Sequence, residues 1–183
     1  MFLLCLSLGC GGSVTNPLFS GTIRGASFQP TSVAVGSGEI NASNSLGLIV
    51  MTKGTDDICA DTAAHQRHGN VAVFSVGLVD QDAAGNDSAP AAPGTYTILP
   101  SKSAGAGRWA VAFYEVTNAF CQDVESSDEA PKAVSGSVLL TKVDSTGWTG
   151  TFDLVLSTGD HVTGAFTSPL CPTIPGYGKG ICK

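Results

Sequence analysis

Alternation with a period of two is the feature that most limits what this chain can fold into. Phe152, Leu154 and Leu156 alternate with Thr151, Asp153 and Val155; Ser157-Thr-Gly-Asp160 then turns the chain, and Val162, Gly164 and Phe166 return. Successive side chains of a strand point to opposite faces, so a single apolar face at this spacing describes a half-buried antiparallel pair. The other apolar runs are short, stop at Gly, Pro, Asn or Asp, and carry scarcely any 3.6-residue periodicity. They predict strands over 20–28, 31–35, 46–51, 70–79, 94–99, 108–117, 136–143, 148–156 and 161–167. The stretches 71–79 and 109–116 are apolar on both faces and are expected to be central strands covered on two sides. The recurring words Gly21-Thr-Ile, Gly94-Thr-Tyr, Gly136-Ser-Val and Gly150-Thr-Phe mark strands leaving turns.

One stretch departs from this pattern. Residues 56–65 have a helical composition, with Thr55 as a candidate N-cap and acids in the first turn, and predict a helix of two or three turns ending near Gly69. The expected fold is all-β: an antiparallel β-sandwich or flattened barrel of about eight to ten strands with one short helix. Long exposed connections are expected over 80–93 and 122–131.

A length of 183 residues suits one domain, read as 18–183. With 43% hydrophobic and only 13% charged residues, disorder over most of the chain is excluded. The nine cations against fifteen acids give a net charge of −6, and the cations are scattered singly from Arg24 to Lys183. No basic stripe exists to neutralise a phosphate backbone, so nucleic acid is not an expected partner. Nothing resembles a P-loop, a dinucleotide fingerprint or a GxSxG elbow, and no cofactor is expected.

Few residue groups have the spacing that chemistry requires. Asp61, His65 and His68 stand at i, i+4 and i+7, so a helix would bring two imidazoles and a carboxylate to one face, a ligand set for zinc, iron or nickel. The plainer reading, a solvated polar face with histidine near a helix C-terminus, is preferred. Asp80-x-Asp82-x-x-Gly85-Asn86-Asp87 opens like a calcium loop, but Ala84 and Ala91 occupy later ligand positions and a polar hairpin loop is expected instead. The acids Asp123, Glu125, Asp128 and Glu129 read as a solvated loop, and the Asp160-His161 pair as exposed decoration. Trp109, Trp148, Tyr96, Tyr114 and Tyr177 are candidates for a stacking platform, with core and rim packing the preferred reading.

At the N-terminus, residues 2–9 form an apolar run too short to span a bilayer, which needs about 20 residues. The run reads as the end of a secretory signal with small Gly9 before a cleavage point. Leu6, Ser7, Leu8, Gly9 and Cys10 together resemble the lipobox of a bacterial lipoprotein. That resemblance implies a signal remnant over 1–9, acylation of Cys10, and a tether over 10–17 that is flexible because it is rich in Gly and Ser. Setting aside Cys5 and Cys10 leaves 6 − 2 = 4 cysteines, Cys59, Cys121, Cys171 and Cys182, without CxxC spacing. An even number so spaced suits disulfides in an oxidising compartment. Cys59 with Cys171 and Cys121 with Cys182 is the expected pairing, because long loops anchor distant segments to one another; a local Cys171 to Cys182 clip is the rival.

Asp57-Ile-Cys59-Ala, Pro93-Gly-Thr-Tyr-Thr97 and the run from Gly150 through Asp160-His-Val-Thr-Gly to Cys171 are similar to segments of small secreted lipoproteins of myxobacteria and related bacteria. The resemblance implies an extracytoplasmic β-sandwich or barrel with disulfides, and brings no activity with it. The expected function is that of a non-enzymatic binding or structural lipoprotein of a Gram-negative envelope. Its lipid would sit in the outer membrane or a periplasm-facing membrane, and its ligand would be a protein or carbohydrate. The alternative is a secreted hydrolase or metal-dependent enzyme using the Asp61, His65 and His68 region.

Overall fold

The computed structural model describes residues 17–41, 43–99, 107–126, 128–177 and 179–183. The signal and lipobox expectation, including Cys10, falls on 1–16, outside the described residues. In chain order the elements are β1 (Leu18–Ser20), β2 (Thr22–Ile23), β3 (Ala26–Ser27), β4 (Ser32–Asn41), β5 (Asn44–Lys53), α1 (Ile58–Ala63), β6 (Gln66–Arg67) and β7 (Ala72–Gln81). They continue with β8 (Asp87–Ser88), β9 (Gly94–Ile98), β10 (Arg108–Val116), β11 (Ala133–Asp144), β12 (Gly147–Leu156), β13 (His161–Pro169), a 3-10 turn (Ile174–Gly176) and β14 (Ile181–Cys182).

The period-two runs join one large sheet in the order β1-β13-β12-β11-β9-β10-β7-β5-β4, with β8 against β7. Its pairs are antiparallel except β9 with β10. The sheet curls until its far members meet: Val35 of β4 bridges Leu170, and the Cys171 N–H donates to the Val35 carbonyl at 2.7 Å. The Ser168 hydroxyl donates to the Val33 carbonyl at 3.1 Å along the same seam. This meeting covers part of the β4 edge, which an open sheet would leave unpaired. The chain is thus all-β with one short helix, as the alternation requires.

The inward faces form the main core, with Phe74, Val76 and Leu78 from β7, Val138 and Leu140 from β11, and Phe152 and Leu154 from β12. Phe19, Phe28, Phe74 and Phe152 meet at its centre, with centroids 4.9 Å apart for Phe19 and Phe28 and 5.7 Å for Phe74 and Phe152. Residues 20–28, expected as one strand, are divided. Arg24 and Gly25 both have positive φ, at 52° and 75°, which closes the two-residue turn of the β2–β3 hairpin. That hairpin turns Ile23 and Phe28 into the core.

A second layer covers the outer faces of β4, β5 and β7, where Ala34, Val50, Val71 and Val73 pack with Ile58, Cys171 and Ile174. Gly36 and Gly38 leave β4 bare for this layer; a Cβ on Gly36 would lie 2.6 Å from Ile174 Cγ2, and one on Gly38 3.0 Å from Pro175 Cβ. The helix is shorter than 56–65 and its cap differs. Asp57, not Thr55, is the N-cap, its Oδ1 accepting from the Ala60 N–H at 3.0 Å, while the Thr55 hydroxyl is committed to Asp61. His65 takes a left-handed φ of 53° and turns the chain out of the helix, so that Gln66 and Arg67 pair in parallel with Ile181 and Cys182.

The disulfides are Cys59–Cys171 and Cys121–Cys182, each with Cα atoms 5.7 Å apart. The first ties α1 to the tail after β13; the second ties the turn after β10 to β14. Two such bridges belong to an oxidising, extracytoplasmic environment. Among the described residues no helix is long and apolar enough to cross a membrane.

Candidate functional site

The expected metal triad is brought together only in part. His68 Nε2 lies 3.0 Å from Asp61 Oδ1, and the other Asp61 oxygen accepts the Thr55 hydroxyl. Burial pushes the Asp61 carboxyl up, but the bonds from Thr55 and His68 and the nearby positive charge outweigh it and hold the group below the ordinary aspartate value. His65 is exposed beyond the helix end, and its carbonyl accepts from the Ile181 N–H at 2.8 Å. The i, i+7 spacing therefore joins Asp61 and His68 by a turn of chain and not by a helical face. Among the described residues no group of three or more His, Cys, Asp or Glu is arranged to hold a metal ion. The recess between Asp61, His68 and Tyr177 has a volume of about 20 Å³, the room of a single water.

The other sequence candidates are mostly occupied locally. Asp82 Oδ1 accepts from the Ala84 and Asn86 N–H groups at 2.8 and 2.9 Å, which makes the calcium-like stretch the polar hairpin loop expected of it. The 80–93 connection is less exposed than expected, since β8 pairs with β7 and buried Asp87 accepts from the Gln81 amide at 2.8 Å. His161 pairs with Asp153 at 2.7 Å on the open surface, and not with Asp160, whose carboxylate accepts from the Arg24 N–H. Of the aromatics, Tyr96, Trp109 and Trp148 are buried and Tyr114 packs against the main core. The Arg108 guanidinium lies 5.7 Å from the Tyr96 ring centre.

Tyr177 has a different setting. It borders a cleft of about 360 Å³ on the outer face of β5, β7 and β10. The register sets Phe113 opposite Ser75 and Glu115 opposite Val73, while Ser75 faces Val50 on the other side. These residues and Leu48 form the floor, and Ile174, Pro175 and Tyr177 form one wall. Arg67, Glu115 and Asp123 supply the charged rim. Strand β10 was expected to be covered on both faces; its outer residues Val111, Phe113 and Glu115 are only half-buried, and the cleft is the uncovered part.

Each rim group is held by a different element. Glu115 projects from β10, and Arg67 is fixed by the β6–β14 pairing. Asp123 returns beside β10 through a bridge to Thr117, after a turn in which the Asn118 side chain accepts from the Phe120 and Gln122 N–H groups at 2.8 and 3.1 Å. The Cys121–Cys182 bridge joins that turn to the strand beside Arg67, and Cys59–Cys171 anchors the wall that carries Tyr177.

The electrostatics follow from this crowding. Burial, reinforced by the Asp123 carboxylate and opposed by the Arg67 guanidinium, pushes Glu115 above its ordinary value of 4.5. Burial likewise pushes the Tyr177 hydroxyl up to about 12, with Arg67 pulling down and Glu115 and Asp123 pushing up. Of the four acids in the 122–131 loop, three behave as a solvated loop should. Glu125 pairs with Arg24, Asp128 lies 3.8 Å from Lys132, and Glu129 accepts from the Ser126 hydroxyl. Asp123 instead faces the cleft. Arg67 and Glu115 had no place among the sequence candidates. The available signal was Glu115 itself, a carboxylate continuing the outward apolar series Val111 and Phe113.

A stability effect follows at Glu115. The folded chain keeps this proton to a higher pH than the unfolded chain does, so stability falls as pH rises through the window between the ordinary and the raised value. Glu115→Gln removes that cost. The variant is expected to be more stable than the parent near pH 7 by up to about 1 kcal/mol, allowing for solvent screening, and equal to it below about pH 3.5. Urea denaturation at both pH values measures the difference; a variant less stable near neutrality would show that the ionised carboxylate is favourably held.

Two further depressions lie on the surface, of which only the smaller shares Phe113 and Glu115 with this cleft. A groove of about 720 Å³ crosses the outer face of β9, β11, β12 and β13, lined by Thr95, Ser137, Thr151 and Thr163 with Leu18 and Leu139. Another, of about 390 Å³, lies beside Val111, Phe113 and Val134. The 360 Å³ cleft combines an apolar floor with a guanidinium, two carboxylates and a phenol. No family model, no curated protein and no solved structure matches this chain.

Proposed function

We propose that this chain is a non-enzymatic binding module of a Gram-negative envelope, exported, acylated at Cys10 and held by its lipid in the outer membrane or a periplasm-facing membrane. The observation that carries the binding role is the 360 Å³ cleft, whose polar groups come from separate elements fastened to one another by both disulfides. Ligand sites are concave, largely apolar and preformed, with a few convergent polar groups to set orientation, and this cleft has those attributes. The interior of the curled sheet is filled by Phe19, Phe28, Phe74 and Phe152, which favours a ligand on the outside.

The Asp61 region supports a structural role better than a hydrolytic one. A nucleophilic hydroxyl needs an imidazole beside it to take its proton, with a carboxylate behind the imidazole. Here the carboxylate stands in the middle, bonded to the Thr55 hydroxyl on one side and to His68 on the other. A carboxyl held below the ordinary aspartate value is a weak base for that proton.

The test is a native intact mass of the protein purified from the membranes of its source, repeated after denaturation and after reduction. The expected result is a chain beginning at Cys10 with an acyl increment, a gain of four hydrogens on reduction of the two bridges, and a ligand mass lost on denaturation. An unacylated chain with free thiols would overturn the envelope assignment. A hydrolysed product appearing when peptide or glycoside substrates are incubated with the folded chain would overturn the non-enzymatic one.

A further inference from the structure

Three charged groups in the cleft have unused bonding capacity. Among the described residues, neither the Arg67 guanidinium nor the Glu115 or Asp123 carboxylate has a side-chain hydrogen bond or an ion pair within 4.0 Å, although every other Arg has an acidic partner. They nonetheless line the same cleft: Thr117, two positions after Glu115, bridges Asp123, and its hydroxyl donates at 3.3 Å to the carbonyl of His68, the residue after Arg67. A guanidinium presents five donors in a planar fork suited to a carboxylate, and two carboxylates converge acceptors suited to an ammonium.

Resting on the binding role proposed above, we infer that the cleft takes a small zwitterion: an α-amino acid with a bulky apolar side chain. Arg67 takes the ligand carboxylate, Glu115 and Asp123 take its ammonium, and the side chain lies along Leu48, Val73 and Phe113. Charge decides between the simple alternatives. A plain cation would face the Arg67 guanidinium, and a plain anion would face two carboxylates; a ligand bearing both signs one carbon apart meets neither conflict. The apolar floor decides the rest, because a ligand without an apolar body would leave the half-buried Leu48 and Phe113 wet and give up the burial of that surface. A volume of about 360 Å³ admits an aromatic or branched aliphatic side chain.

The test uses the full disulfide-bonded chain and follows backbone amides by NMR during titration with three probes: L-phenylalanine, phenethylamine, which lacks the carboxylate, and 3-phenylpropionate, which lacks the ammonium. L-phenylalanine is expected to shift the Val73, Ser75 and Glu115 amides saturably and to bind at least about tenfold more tightly than either truncated probe, the loss anticipated for one charge-assisted contact. Arg67→Gln should erase its advantage over phenethylamine, and Glu115→Gln should reduce its advantage over 3-phenylpropionate. If either variant fails to fold, the comparison of the three probes on the parent chain decides alone. Equal binding of phenethylamine and L-phenylalanine at those amides would overturn the zwitterion while leaving the cleft as a binding site. If no probe at millimolar concentration shifts the cleft amides, the zwitterion is likewise overturned. The binding role falls with it only if the native mass also carries no ligand.

Discussion

Replacing Cys59 and Cys171 together with alanine is expected to cost about 3–5 kcal/mol of stability, against a typical total of about 5–15 kcal/mol for a domain. The bridge spans a sequence separation of 112 residues, and in the chain-entropy view the stabilisation grows slowly with the loop that is closed. Its site matters as much as its span. Cys59 lies on the six-residue α1, which is too short to persist by itself, and Cys171 begins the tail that packs Ile174 against Val50 and Val73. Losing the bridge should therefore loosen the second layer first, and the amides near Tyr177 should exchange with solvent sooner than those near Phe152. Urea denaturation under oxidising conditions, with native-state hydrogen exchange, measures both effects. A loss below about 1 kcal/mol would mean that the apolar contacts of Ile58, Val71 and Ile174 hold the layer without the covalent link.

Phe74→Ala is expected to be as damaging, at about 3–5 kcal/mol, for a different reason. Phe74 is fully buried on β7, the strand between β5 and β10, with its ring centre 5.4 Å from Phe19 and 5.7 Å from Phe152. Truncation removes both the transferred apolar surface and the contacts of rings that cannot close the gap, because each is fixed by its own strand. Phe120 is 77% exposed, and Phe120→Ala should change stability by no more than about 0.5 kcal/mol. Chemical denaturation of both variants provides the contrast. Similar losses for the two would show that the aromatic cluster is not the centre of the core.

The strands were legible because their pattern is local. At 151–166 each apolar residue sits two places from the next, and the structure pairs Phe152 with Gly164 and Leu154 with Val162 across the expected turn. The doubly apolar stretch 71–79 is the central β7, with Phe74 and Val76 in the main core and Val73 in the second layer. The same signal at 109–116 was misleading in part. An apolar outer face reads as a covered one, yet on β10 that face is the floor of a cleft, and hydrophobic spacing cannot tell a covering layer from a ligand site. The helix was legible in kind but not in extent. Its composition extends through His65, whereas the chain leaves the helix at Ala64 because β6 must reach β14, more than a hundred positions away.

Cysteine number and spacing determined the compartment, since four cysteines without metal spacing favour bridges and bridges need an oxidising environment. Alternation and turn residues determined that the fold would be all-β, because both act within a few residues and need no knowledge of what lies across the sheet. The pairing expected of the cysteines, Cys59 with Cys171 and Cys121 with Cys182, is the one found, while the tertiary structure alone decided between it and the local clip, where the sheet curls back on itself and which charged groups meet. Arg67, Glu115, Asp123 and Tyr177 come from four separate stretches of chain, and no periodicity links them. Their meeting follows from the order β10-β7-β5-β4 and from the two bridges that fold the tail back over it. A sheet's strand order is a competition among long-range pairings, settled by the packing of the whole core, and it leaves no mark at any single position of the sequence.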